Sequence, residues 1–308
     1  MSADPVLSVV VALISGRAQD LERCLAALHG QDNPPPHEVI VPYDPTASAV
    51  AELASRYPLV RFLEAEHMDT AEARQGLSRE HHDTLRTLGI KVARGRIIAL
   101  TEDHAVPSPT WCAEMVRLID EHPQVAAIGG AVECGSDSLL KRAVYYCDFG
   151  RYQNPLPEGP AVYVSDSNVA YRREALEGVR GFWEDDYHET VVHSALVEAG
   201  HELWLTPRSQ VAQVREGLRP GKALRERYVW GRSFAGTRFR DRAFPVRLVY
   251  AGLSFALPLV FTWRLLRSAI ARRRVGELIP VLPLVLVLQG IWSLGELVGY
   301  VTGNPGGA

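Results

Sequence analysis

From Leu7 to Leu63 the chain alternates short apolar runs with stretches of helical spacing, and no other feature restricts its fold so tightly. Leu7 to Ile14 is a near-continuous, β-branched run of the kind a strand needs when both its faces are covered. Asp20 to Leu28 repeats apolar residues at helical intervals and stops before Gly30. The rigid Pro34-Pro35-Pro36 leads into a second strand, Glu38 to Val41, which ends at Pro42-Tyr43-Asp44-Pro45. Ala47 to Tyr57 is a second predicted helix, and Val60 to Leu63 a third strand. That order predicts a doubly wound α/β domain with a mostly parallel sheet and right-handed crossovers.

In such sheets ligands bind outside the carboxyl ends of the strands. Asp44 lies at one of these ends, and the next strand, Ile97 to Leu100, empties directly into Thr101-Glu102-Asp103-His104. Pro107 and Pro109 are expected to stop any regular element there. Two acids beside an imidazole suit a hard divalent cation shared with phosphate oxygens. Before this motif, Met68 to Ser78 is polar and small, as in a mobile loop, and Glu80 to Ile90 recovers helical spacing. Within it, His81 and His82 point about 100° apart and are not expected to share an ion.

Further along, Trp111 to Glu121 is a predicted helix. Val125 to Val132 is a buried strand whose Gly129-Gly130 either permits close approach to a ligand or marks a bulge. Tyr145 to Pro160 is aromatic and Pro-punctuated, a predicted loop over the ligand crevice. Ser165 to Tyr171 is polar in the middle and apolar at its ends, followed by a helix from Arg173 to Gly178. Acids from Glu184 to Glu189 open a helix that runs to Gly200, where they favour its dipole. His188 and His193 are five apart, which leaves the rings about 140° apart on a helix and excludes the zinc-protease arrangement.

A net charge of -3 over 308 residues gives no general pull toward nucleic acid. Basic residues nevertheless crowd between Arg215 and Arg247, as on a phosphate-binding or anionic-lipid surface or on a solvated helix face. The four cysteines show no zinc spacing, so reduced thiols in a cytosolic domain are expected. The amino terminus lacks a basic region before its apolar run and reads as a first strand, not a signal peptide.

Two apolar segments follow. Leu248 to Trp263 is uncharged and flanked by Arg247 and Arg264; Leu278 to Val301 is long enough to span and holds one acid, Glu296. Together they predict a C-terminal helical membrane hairpin. A crossing hairpin would carry Arg267 and Arg272 to Arg274 to the far side, against the positive-inside bias, unless the first segment lies in the interface.

The order of these motifs, from about Leu7 to Arg238, resembles family two glycosyltransferases, whose nucleotide-sugar-binding α/β domain is called GT-A. The opening strand, Gln31 and Val41-Pro42-Tyr43-Asp44 look like the family's first nucleotide-contacting segment. Leu85-Arg86-Thr87-Leu88-Gly89-Ile90 is similar to its Ala-Arg-Asn-x-Gly-Ile box. Leu100 to Pro107 occupies the place of its acidic metal motif, with His104 for the last acid. Ser167-Asn168 to Leu176 matches the segment before Gly-Gly-Phe, and His188-Glu189-Thr190 stands where the family carries Glu-Asp with its catalytic base. A histidine often found near the end of the domain has no counterpart around Gln213 to Arg215, and the processive members' Gln-x-x-Arg-Trp signature is missing near Arg227 to Arg232.

The resemblance implies a catalytic domain over residues 1–238, then a basic linker and two apolar membrane-associated helices over 239–308. It implies a membrane-associated, metal-dependent, inverting enzyme that moves a sugar from a nucleotide-sugar donor to a hydroxyl of a lipid-linked or polysaccharide acceptor. The catalytic domain would face the cytoplasm at the cell membrane, and no nucleic acid would be bound. Glu189, with His188, would be catalytic; Asp44, Arg86, Glu102, Asp103, Gly130 and Asn168 would bind the donor; Glu102, Asp103 and His104 would hold Mg²⁺ or Mn²⁺. Two other classes compete: a nucleotidyltransferase on a similar fold, for which Ser15-Gly16-Arg17-Ala18 is a thin phosphate loop, and a non-catalytic membrane-anchored nucleotide-binding scaffold.

Overall fold

The computed structural model describes residues 4–45, 47–65, 79–239 and 242–304. The chain forms two compact units, one of Met1–Gly135 with Tyr152–Val214 and the other of Ser136–Arg151 with Arg215–Ala308. By compactness, therefore, residues 136–151 and 215–238 group with the apolar tail, whereas the sequence division at residue 238 grouped them with the catalytic domain.

The first unit is built on one mixed sheet. Its strands are β1 (Leu7–Ala12), β2 (His37–Tyr43), β3 (Val60–Glu64), β4 (Ile97–Glu102), β5 (Ala105–Pro107), β6 (Val125–Cys134), β7 (Gly159–Ala161), β8 (Asn168–Arg172) and β9 (Glu202–Gln213). They lie in the order β3-β2-β1-β4-β8-β6-β9-β5, with β7 on β9. Every residue of β1 and β4 is buried, as expected of central strands covered on both faces. β1 to β4 are mutually parallel, so Asp44 follows the same sheet edge as Glu102. β8 inserts antiparallel, with Asn168 opposite Thr101, and this brings the segment before β8 to the carboxyl end of β4.

The helices of this unit are α1 (Ala18–His29), α2 (Arg79–Val92), α3 (Trp111–Glu121), α5 (Arg173–Gly178) and α6 (Glu189–Glu198); α4 (Leu139–Asp148) belongs to the second unit. Several expectations are corrected. The helix predicted over Ala47 to Tyr57 is one α-turn, Ser48–Ala51, and one 3₁₀ turn, Glu52–Ser55; among the described side chains there only Val50 and Leu53 are buried, too narrow a stripe to hold a longer helix. Pro107 does not stop the chain before an element but closes β5, a strand at the sheet edge, where a missing N–H is tolerated. The first part of the predicted loop from Tyr145 is helical, because Ala143, Val144, Tyr145 and Tyr146 make a buried stripe on α4. β9 was not foreseen; its pairing with β6 shifts register between Gly130 and Ala131, and that irregularity takes up Pro207 to Ser209. The Met68 to Ser78 loop lies outside the described residues, as does the side chain of His81.

In the second unit α10 (Leu282–Thr302) packs with α7 (Pro220–Arg238), α8 (Phe244–Leu253), α9 (Leu257–Ala271) and α4. Two helical stretches, Phe244–Ala271 and Val275–Thr302, are long and apolar enough to cross a membrane. The four-residue spacing of Gly295 and Gly299, unexplained by sequence, is a close-packing face. A Cβ on Gly295 would lie 2.2 Å from the Tyr228 carbonyl oxygen and one on Gly299 2.4 Å from that of Arg232. From the other side, a Cβ on Gly231 would lie 2.3 Å from the Trp292 carbonyl oxygen. Backbones of α7 and α10 therefore touch, which only small residues permit.

Candidate active site

Arg86 is the centre of the cluster. Spacing of three on α2 sets it beside Asp83, at 3.0 Å, while the junction of β4 with β8 brings Glu102 to 3.2 Å and Asp166 to 3.0 Å. The guanidinium is buried, and although burial opposes its charge, Asp166, Asp83 and Glu102 together raise its pKa. Arg86, expected at the donor, is thus engaged by three carboxylates. Asp166 was not foreseen as a site residue, and Asp83, beside His81 and His82, was set aside as a metal ligand; its spacing from Arg86 was the signal for its actual partner.

The acidic motif separates into two roles. Asp103 is fully buried and accepts hydrogen bonds from the Ile14 and Ser15 amides, from Ser15 Oγ at 2.6 Å and from His104 Nδ1 at 3.0 Å. Burial works against its charge, but the His104 and Ser15 hydrogen bonds outweigh it and hold the carboxyl below the usual range. Through these bonds Asp103 braces the imidazole and the tip of β1. Glu102 Oε2 and His104 Nε2 are the convergent pair, 3.5 Å apart. Burial raises the Glu102 carboxyl, and Asp166 adds to this while His104 and Arg86 pull it back.

Among the described residues no group of three His, Cys, Asp or Glu side chains is arranged to hold a metal, so the expected Glu102-Asp103-His104 triad is not formed. The donor chemistry still fits a hard cation with two protein ligands. Nε2 of His104 is oriented by a carboxylate on its other nitrogen, the usual outer-shell support for a metal-binding imidazole. Gln213, at the end of β9, donates to Glu102 at 3.1 Å, and its own Oε1 is buried without a hydrogen-bond partner, an oxygen of the type Mg²⁺ and Mn²⁺ accept.

His188 lies between Asp83 Oδ2, at 3.0 Å, and Asp186 Oδ2, at 3.2 Å. Hydrogen bonds to Asp186 and then Asp83 push its pKa up to about 10. These bonds favour its charged form at neutral pH. Because the folded pKa is raised, this clamp stabilises fully below the unfolded value of about 6.5 and is lost as pH rises through the folded one. Denaturation of wild type and His188→Gln is expected to show a stability gap at pH 6 that closes above pH ~10; a gap independent of pH would contradict the clamp.

Glu189 opens α6 and is 9% exposed. Burial raises the phenols of Tyr171 and Tyr187 well above their usual range, and the charges of Glu189 and Asp166 add to it, so both carboxylates border the same tyrosine pair. Tyr171 Oη meets Tyr187 Oη at 2.6 Å and His193 Nε2 at 2.7 Å, a buried support behind the start of α6.

Two expected donor-binding residues also have structural work. Asn168 gives Nδ2 to the Ala131 carbonyl, at 2.8 Å, and accepts from Trp111 Nε1 at 2.8 Å. A Cβ on Gly130 would lie 2.2 Å from the Ser209 carbonyl oxygen and 2.4 Å from Asn168 Nδ2, so strand packing demands that glycine. Asp44 is buried just beyond β2.

A search of curated proteins finds no match. Among solved structures the chain is similar to the mannosyltransferase PcManGT from Pyrobaculum calidifontis in complex with GDP-Man and Mn²⁺, at 20% identity and a TM-score of 0.55, covering 98% of this chain and 88% of that one. It is also similar to GalNAc-T7 with UDP, GalNAc and Mn²⁺, at 14% identity and a TM-score of 0.50, over 79% of this chain and 52% of the other. These likenesses carry the fold, which is GT-A. The profile described as glycosyl transferase family 2 matches residues 8–180, more than half of the chain, which belongs to that family.

Proposed function

We propose that this chain is a membrane-associated, inverting glycosyltransferase that takes its sugar from a nucleoside-diphosphate donor and needs a divalent cation. The observation that carries the reading is the convergence of Glu102 Oε2 and His104 Nε2 beside Arg86, Asp166 and the start of α6. Similar folds bind GDP-Man or UDP with Mn²⁺, which supports the same donor class here. Glu102 and His104 would hold Mg²⁺ or Mn²⁺, with the Gln213 amide oxygen beside them. The cation would supply Lewis-acid stabilisation of the departing diphosphate.

The chain's own residues do the rest. Asp103 keeps His104 in the tautomer that leaves Nε2 as the donor atom. Arg86 offsets part of the charge of Asp83, Glu102 and Asp166, so that a polyanionic donor does not meet three uncompensated carboxylates. Asp44, at the tip of β2, would contact the nucleoside. Glu189 would accept the proton of an acceptor hydroxyl; that oxygen bonds to the anomeric carbon as the bond from that carbon to the phosphate oxygen breaks, which inverts the configuration. The two apolar helices support an acceptor at a bilayer, a lipid-linked or growing glycan, with the catalytic unit on the cytoplasmic side where nucleotide sugars are made.

The test is incubation of the full chain with a panel of nucleotide sugars, with and without Mn²⁺. Release of free nucleoside diphosphate only with metal is the expected result. Pyrophosphate released from a nucleoside triphosphate and a sugar 1-phosphate in a parallel mixture would mean a nucleotidyltransferase, and neither product a binding scaffold.

A further inference from the structure

The apolar hairpin has its two ends fastened to helices that a bilayer would exclude. At the turn, Arg272 donates to the carbonyls of Gly150 and Arg151, at 2.7 and 2.6 Å, and Arg142 donates to that of Glu277 at 2.9 Å. Arg151 is followed directly by Tyr152 of the first unit, and α4 is joined to Gly135 of that unit by Ser136 to Ser138. Three residues reach roughly 10 Å, against a hydrocarbon core about 30 Å thick. The turn is therefore on the side of the membrane where the catalytic unit is.

The open end is fastened too. Arg247, in α8, donates to the carbonyls of Tyr300 and Val301, at 2.7 and 2.6 Å. α7 runs against the second apolar helix through Gly231, Gly295 and Gly299 and pairs Arg227 with Asp148 at the end of α4. If the hairpin crossed, α7 would have to cross beside it. It carries Lys222, Arg225, Glu226, Arg227, Arg232 and Arg238, which hydrocarbon does not accept. Between them α4 and α7 flank the second apolar helix from turn to open end. The first apolar stretch is largely bare: Phe244, Val249, Phe255, Leu259, Trp263 and Ile270 are each more than half exposed. Exposed Arg264, Arg267 and Arg273 stand among them, suited to anionic headgroups.

We infer that the hairpin does not span: it lies in a single leaflet of an anionic bilayer, a monotopic anchor whose turn and C-terminal end face the same compartment. This rests on the membrane association proposed above. It also removes the conflict with the positive-inside bias, since Arg272 to Arg274 stay on the catalytic side.

Ala271→Cys and Thr302→Cys, each in the full chain, report the two ends. Both positions are exposed. A membrane-impermeant maleimide is applied to intact spheroplasts and to inside-out vesicles, and label above wild type is scored. Both cysteines are expected to react in vesicles and neither in spheroplasts. Labelling of Ala271→Cys in spheroplasts would establish a crossing hairpin, and labelling of Thr302→Cys there a single crossing; either overturns the inference while leaving membrane association intact. Recovery of the wild-type protein outside the membrane fraction would overturn the membrane reading and this inference together.

Discussion

Glu189→Gln is expected to slow sugar transfer by about 10²- to 10⁴-fold while leaving the dissociation constant of the donor unchanged. The reason is the place of the carboxylate. It opens α6 next to the Tyr171 and Tyr187 pair and is not one of the two side chains proposed to hold the cation. An amide is isosteric and keeps the fold but has no lone pair basic enough to take a hydroxyl proton. Single-turnover rates beside donor titration separate the two effects. A variant with wild-type turnover would reduce Glu189 to a favourable charge at a helix start, worth only a few tenths to one kcal/mol.

Arg86→Met should act on the fold instead. Removing the guanidinium leaves Asp83, Glu102 and Asp166 without the cation they share, and breaking a buried ion cluster in this way costs about 3–5 kcal/mol. For a unit of this size that is a fall in Tm of roughly 6–20 °C. Arg86→Lys keeps the charge but not the fork that meets three partners, so it should recover part of the loss. A thermal scan of the three proteins checks the order. Equal Tm values would mean that the carboxylates protonate at no cost when the arginine is gone.

Local patterns made part of this legible beforehand. β1, β2, β3 and β4 follow from short apolar runs with turn residues after each, and the acids at the ends of β2 and β4 follow from where those runs stop. The partners of Arg86 do not. Asp166 reaches it only because β8 inserts antiparallel against β4, a long-range pairing of Ile97 with Arg172 through Thr101 with Asn168 that no local period reveals. The division of labour inside Glu102-Asp103-His104 was equally hidden, since it depends on Ile14 and Ser15 arriving from β1 to occupy Asp103. β9 escaped notice because Pro207 and alternating polar residues break its apolar pattern, and the buried Gln213 at its end went unassigned with it. Gly295 and Gly299 acquire a reason only when α7 lies against them.

The account depends most on a cation seated by Glu102 and His104, and binding of Mn²⁺ followed by its paramagnetic resonance signal tests this without any turnover. With nucleoside diphosphate present, wild type and Glu189→Gln are expected to bind the ion alike, while Glu102→Gln and His104→Ala each weaken it by at least about tenfold, the lower end of what even an outer-shell change costs. Undiminished Mn²⁺ binding in both of the latter variants would contradict it.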